Sequence, residues 1–207
     1  MIRIVVDGVA RLLMKLMARI RVLGRARIPE SGPLIVVTNH INFFEAPVIY
    51  FLLKDLRPRA LTKAETWDQR YLRILANLWG AIPLRRGSVD RLAFDTAAEV
   101  LGGSGVVVVA PEGTRSHHGR LQRASAGVVL LAARTGAPVL PIGHWGGERV
   151  VPSLLRLGRP VVHVRVGQLL HVRPEARNSR EMRAAELDRM MGALALLLPE
   201  QYRGYYA

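Results

Sequence analysis

The stretch Asn39-His40-Ile41-Asn42-Phe43-Phe44-Glu45 places an imidazole at the end of an apolar run and a carboxylate five residues later, shortly before Pro47. A carboxylate that holds one ring nitrogen leaves the other free to act as a general base. The spacing sets a condition. On a continuous helix the two residues would lie about 140° apart around the axis. They meet only if His40 sits in a loop and Glu45 near a helix start, and a strand-loop-helix break is predicted here. Pro47 near the first helical position puts Glu45 just outside the helix, where the positive end of the dipole favours an ionised carboxylate. Glu45 then accepts from one ring N–H and fixes the tautomer.

Two further stretches carry chemistry. Pro111-Glu112-Gly113-Thr114-Arg115 follows the apolar run Gly105 to Ala110. Gly113 permits a tight turn whose backbone N–H groups can face an anion. Arg115 is placed to bind phosphate or to brace Glu112. Gly80-Ala81-Ile82-Pro83-Leu84-Arg85-Arg86 ends in two arginines, and the planar guanidinium makes paired hydrogen bonds to phosphate oxygens. Other chemistries are excluded. The chain has no cysteine, so a thiol nucleophile and thiolate metal sites are ruled out. Ser104 is followed two residues later by Val106, where a nucleophile elbow needs glycine. No His/Asp/Glu cluster has ligand spacing, so no metal is predicted. His117-His118 reads as a solvated loop pair.

These residues need elements to position them. Pro33–Thr38, Arg59–Lys63, Ala81–Leu84, Gly105–Ala110 and Pro138–Ile142 are short apolar or β-branched runs that read as strands, and Val161–Val166 as a strand nearer an edge. Helical stretches alternate with them: Pro47–Leu56, Leu72–Trp79, Val89–Leu101 and Ala124–Arg134. A last helix runs to about Leu198, capped by Asn178 with Glu181 three residues on. The alternation predicts a single α/β domain with a mixed, largely parallel sheet flanked by helices. In such sheets ligands bind beyond the carboxyl ends of the strands. His40, Arg86 and Glu112 each follow a predicted strand.

The chain has 207 residues, half of them hydrophobic, and a formal net charge of +14. Length and composition fit one domain with a sizeable core plus an appendage. The charge attracts polyanions: nucleic acid, anionic lipid or phosphorylated substrates. No nucleic-acid-binding signature is present, so nucleic acid is not the expected partner. Residues 1–27 hold seven Arg or Lys against one Asp, and Arg3, Asp7, Arg11, Lys15 and Arg19 recur every fourth residue. That reads as a basic amphipathic helix lying in the interface of an anionic membrane. No run of 18 apolar residues survives for a membrane span, and charges interrupt any secretory signal. The predicted organisation is a membrane-associating segment over 1–27 and a catalytic domain over 28–207, peripheral to a membrane on its cytoplasmic face.

Over about residues 30–145 the three motifs resemble those of the glycerolipid acyltransferase family, which includes the lysophosphatidate (1-acyl-sn-glycerol-3-phosphate) acyltransferases. The resemblance implies transfer of a fatty acyl group from acyl-CoA or acyl carrier protein to the free hydroxyl of a lysophospholipid, with no further cofactor. It makes His40 the general base and Glu45 its partner, with no acyl-enzyme. It places Arg86, Glu112, Gly113, Thr114 and Arg115 at the acceptor phosphate, with Lys63 as a further cation. Ala137-Pro138-Val139-Leu140-Pro141-Ile142 resembles a fourth motif, a wall for the acyl donor. Two departures stand out. The family usually has Asp where this chain has Glu45, and Leu121-Gln122-Arg123-Ala124 replaces an aromatic-lysine-x-glycine pattern. They keep two alternatives open: another lipid acceptor (an amino lipid, a glycolipid or another lysophospholipid), or a non-catalytic basic peripheral membrane protein.

Overall fold

Three β-branched runs build the centre of the molecule, whose computed structural model describes residues 2–85, 90–116 and 118–207. They are β2 (Leu34–Thr38), β5 (Val106–Val109) and β6 (Val139–Trp145). Every residue of β2 is buried, because helices cover both faces of a parallel pairing. With β1 (Arg19–Leu23), β3 (Arg59–Lys63), β4 (Ile82–Leu84) and β7 (Val161–Val166), they form a seven-stranded sheet of order β1-β7-β6-β2-β5-β3-β4. All pairs are parallel except β6 with β7. The strands from β6 across to β4 therefore all end at one edge. The strand after each crossover helix starts at the far edge, as parallel connection demands.

Two apolar layers close the sheet. On one face α1 (Ile2–Met17) and α2 (Glu45–Leu52) bring Met14, Val48 and Ile49 onto Leu34, Val36, Leu140 and Ile142. On the other, α4 (Arg91–Gly102), α5 (Gly127–Thr135) and α7 (Arg180–Leu196) bring Ala97, Val129, Met191 and Leu194 onto Ile35, Val37, Val107 and Val139. Burying each large aliphatic side chain contributes about 1.5–3 kcal/mol. Helices α3 (Arg70–Leu78), α6 (Val150–Leu154) and α8 (Glu200–Arg203) sit on the connections.

The N-terminal segment departs from the predicted single helix. α1 ends at Met17, and Arg19–Leu23 is a strand paired with β7. Arg-Ile-Arg-Val-Leu alternates with period two, and its exposed-to-half-buried alternation follows that period. β1, not β7, is thus the outer strand. Several boundaries also shift: β6 runs on to Trp145 rather than Ile142, α2 stops at Leu52 rather than Leu56, and α5 begins at Gly127 rather than Ala124. α2 begins at Glu45 itself, because Pro47 fits the third helical position, where no intrahelical N–H bond is required. The cap of α7 is Ser179, whose hydroxyl accepts from the Met182 N–H at 3.1 Å, rather than Asn178.

α1 meets the protein through residues of its polar stripe. Asp7 is buried and accepts from Trp79 Nε1 at 3.2 Å. Arg3 donates to the Tyr50 hydroxyl at 2.9 Å, and the Arg11 guanidinium lies over the Phe51 ring at 5.4 Å. Tyr50 and Trp79 stack at 4.4 Å between these contacts. The opposite side of α1 (Ile4, Val5, Val9, Leu12, Leu13 and Leu16) is exposed. Among the described residues no helix is long and apolar enough to cross a membrane.

Candidate active site

His40 lies in the loop after β2, and Glu45 opens α2, so the strand-loop-helix break brings them together. The Nδ1 of His40 is hydrogen-bonded to Glu45 Oε1, so Nε2 is the ring nitrogen that this contact does not engage. Glu45 Oε2 accepts from the backbone N–H groups of Ile41 at 2.9 Å and Asn42 at 3.0 Å. One buried carboxylate thus orients the ring and ties down the loop that carries it. Asn42 Oδ1 in turn accepts from the Phe44 N–H at 2.7 Å, supporting the entry to α2.

Burial pushes the Glu45 carboxyl up. The imidazoles of His144 and His40 and the N–H of Asn42 outweigh it and hold the group below the ordinary carboxylate value. His144 is a site residue the sequence reading did not single out. It lies buried on β6, with Nε2 2.7 Å from the Asn39 carbonyl oxygen and 3.4 Å from Glu45 Oε2. The Asn39 amide clamps the His144 backbone in both directions, at 2.9 Å each. The sequence offered only an imidazole just past a predicted apolar strand; what brings it to the site is β6 lying beside β2, with Ile142 in register with Thr38.

Glu112 comes from the turn after β5. Its Oε1 accepts from the His40 N–H at 2.8 Å and its Oε2 from the Gln122 N–H at 2.8 Å. The Ser116 N–H donates to the His40 carbonyl at 2.8 Å. The turn therefore grips the main chain of the histidine loop on both sides. Glu112 itself serves that loop in this structure. Burial raises its carboxyl above the ordinary value despite the N–H groups of Gln122 and His40. Gly113 has φ +72°, a left-handed conformation that favours glycine. Gly113, Thr114 and Arg115 are exposed beside it.

Lys63 ends β3, in register with Leu84 of β4, so Lys63 and Arg85 follow neighbouring strands at the same edge as His40. The Arg85 N–H is held by Asp90 Oδ2 at 2.8 Å. Arg86 and His117 lie outside the described residues. Among the described residues no group of three His, Asp or Glu side chains is arranged to hold a metal ion.

The C-terminal residues brace the turn. The Leu121 N–H donates to the Tyr202 carbonyl at 2.9 Å, and the Tyr205 N–H donates back to the Leu121 carbonyl at 3.0 Å. The Ala124 N–H donates to the Tyr206 hydroxyl at 3.1 Å. This clasp occupies the stretch where Leu121-Gln122-Arg123-Ala124 departs from the family pattern.

The match to known proteins follows the same residues. The family model described as "Acyltransferase" matches residues 19–145. A chloroplastic 1-acyl-sn-glycerol-3-phosphate acyltransferase of Arabidopsis thaliana is 29% identical over 140 residues, covering 65% of this chain and 38% of that protein. The counterpart of Pseudomonas aeruginosa is 30% identical over 138 residues, covering 63% of this chain and 51% of that protein. The matched stretch thus spans about half or less of these curated relatives. The fold is also that of the crystal structure of the 1-acyl-sn-glycerophosphate acyltransferase from Thermotoga maritima, with a TM-score of 0.70 at 22% identity. That match covers 94% of this chain and 78% of the solved one. The chain belongs to the acyltransferase family.

Proposed function

We propose that this protein transfers a fatty acyl group from a thioester donor, acyl-CoA or acyl carrier protein, to the free hydroxyl of lysophosphatidate, giving phosphatidate. The observation that carries the reading is the His40–Glu45 pair, with Nδ1 engaged and Nε2 left for the acceptor, at a strand edge also bearing Lys63, Arg85 and Arg115. Nε2 takes the hydroxyl proton as the oxygen attacks the thioester carbonyl. Glu45 stabilises the imidazolium that forms. The tetrahedral intermediate collapses, the C–S bond breaks, and the imidazolium returns its proton to the departing thiolate. No acyl-enzyme forms. Arg86, Arg115 and Lys63, beside the exposed Gly113-Thr114 turn that follows Glu112, hold the acceptor phosphate. The relatives' names support lysophosphatidate as the acceptor.

The same reading puts α1 on an anionic membrane, peripheral to its cytoplasmic face, because its apolar side is exposed and its flanks are basic. Each cationic side chain near such a surface contributes about 1 kcal/mol.

Free-thiol release from acyl-CoA, and separately from acyl carrier protein, tests the reading on anionic vesicles with lysophosphatidate as acceptor. Loss of a general base costs about 10²–10⁴-fold in rate, so His40→Ala falls at least that far while remaining folded. Near-normal turnover by that variant refutes the mechanism. Release that proceeds equally without lysophosphatidate refutes the acceptor.

A further inference from the structure

α6 and the turn after it present large apolar side chains to solvent with no partner in the fold. Val151 and Leu154 are exposed, Leu155 is 85% exposed and Leu157 is 99% exposed. This tip is well formed. The Leu157 N–H donates to the Leu154 carbonyl at 3.0 Å and the Gly158 N–H to the Ser153 carbonyl at 2.8 Å. Leu157 is held at φ +53°, a conformation that costs a non-glycine residue about 1–2 kcal/mol. No packing contact in the core requires it, since the side chain stands clear of the protein.

Position and charge identify the occupant. β6 ends at the site edge, and α6 follows it there. α1 also ends at that edge, because β1 runs antiparallel to β6 through their shared neighbour β7. Val150 packs against Ala18, with Met17 and Phe44 alongside, so the root of α6 touches both the end of α1 and the histidine loop. Arg159 donates to the Lys15 carbonyl, tying the turn to α1 a second time. The exposed leucines of α1 thus lead toward those of α6, and exposed Phe43 belongs to the loop between them. Arg149, Arg156 and Arg159 are exposed on this tip, and residues 149–160 contain no Asp or Glu. An apolar tip ringed by arginines matches a bilayer with anionic headgroups, where leucines enter the acyl boundary and guanidinium groups meet phosphate.

We infer that Val151–Leu157 is a second membrane-inserting foot, which with α1 seats the protein on an anionic bilayer so that the sheet edge bearing His40 lies at the lipid surface. The inference rests on the membrane reading of α1 but concerns separate residues. It explains how a lysophospholipid reaches His40 without leaving the interface: Phe43 and the two feet border one patch.

The absence of cysteine permits single labels. Leu12→Cys, Leu155→Cys and Leu196→Cys, each in the full chain, carry an environment-sensitive fluorophore. They are mixed with vesicles of phosphatidylcholine and phosphatidylglycerol bearing brominated acyl chains. Leu196 is exposed on α7, across the sheet from α1. The expected result is a blue shift and quenching at 12 and 155 and neither at 196. Quenching at 12 alone overturns the second foot and leaves the α1 reading standing. Quenching at 155 alone overturns the α1 reading and, with it, the two-footed seat. Equal quenching at 196, or at none, overturns the inference. A blue shift at 155 that grows with protein concentration without vesicles assigns the tip to a second copy and also overturns it. In parallel, the double variant Leu155→Ser, Leu157→Ser should lose about tenfold or more in vesicle affinity with unchanged circular dichroism. Unchanged affinity refutes the inference.

Discussion

Two carboxylates flank His40, Glu45 buried and Glu112 half-buried, and their environments push them in opposite directions. Glu45 is held below its ordinary range and Glu112 above it. Glu45 therefore keeps its charge through mild acid. The stability it contributes is present above its ordinary value and is lost as pH falls through the lowered folded one. The stability gap between the parent and Glu45→Gln is accordingly wide at neutral pH and narrows below about pH 4. Denaturant midpoints across pH measure it, and a gap constant down to pH 3 refutes the assignment. On activity, Glu45→Gln keeps a single acceptor oxygen, so its NH2 faces either Nδ1 or the N–H groups of Ile41 and Asn42, the charge that stabilises an imidazolium is lost, and kcat drops by about 10²-fold or more. Glu45→Asp keeps the charge but is one methylene shorter. It cannot reach Nδ1 and both N–H groups of Ile41 and Asn42 from the same backbone. Its loss is smaller, up to about 10²-fold, the scale of a misplaced catalytic group. A Glu45→Asp enzyme faster than the parent would show that the longer side chain is a handicap rather than a fit.

The elements that place these residues were largely legible, for a simple physical reason. β3 and β7 match their predicted bounds; β2 and β5 lie within a residue of theirs, because buried parallel strands need uninterrupted β-branched runs, whereas β6 runs past its predicted end at Ile142 to Trp145. The His40–Glu45 approach was legible because loop and helix start were predictable from Pro47. What was hidden depended on contacts distant in sequence. Arg19–Leu23 has period two, yet the four-residue recurrence of charge from Arg3 to Arg19 concealed it. His144 looks like any strand residue until β6 lies beside β2. α6 is five residues long with a proline inside, below what periodicity can resolve. Gly143 is a similar case. A Cβ there would lie 2.9 Å from the Leu197 Cβ and 3.0 Å from a Leu198 methyl, so the end of α7 closes on β6 only over glycine. Gly143→Ala should destabilise by about 1–3 kcal/mol, read from the urea midpoint. Ser179→Ala, which removes the α7 cap, should cost about 1 kcal/mol. A neutral Gly143→Ala would mean that α7 is free to shift outward at no cost.

At the scale of the whole molecule, α1 buries Asp7 and Met14 against the protein and keeps an apolar side and its basic side chains in solvent. This orientation decides how membrane attachment should be tested. Deleting residues 1–17 removes Met14 from the core layer and the Asp7 partner of Trp79, so a loss of vesicle binding would be mixed with a loss of fold. The paired substitution Leu12→Ser, Leu16→Ser touches only exposed positions and leaves the packed side intact. It should keep the thermal midpoint within a few degrees and weaken binding to anionic vesicles by about tenfold or more. Salt separates the two attractions. With a formal net charge of +14 the approach is electrostatic, and the screening length shrinks from about 10 Å at 0.1 M to about 3 Å at 1 M. Binding of the parent should therefore weaken with salt but persist, because the apolar contribution is not screened. Binding of the Leu12→Ser, Leu16→Ser variant should vanish at high salt, since only charge then holds it. Parent and variant falling together along the same salt curve would show that α1 meets the membrane through its arginines alone and that its exposed leucines have another use.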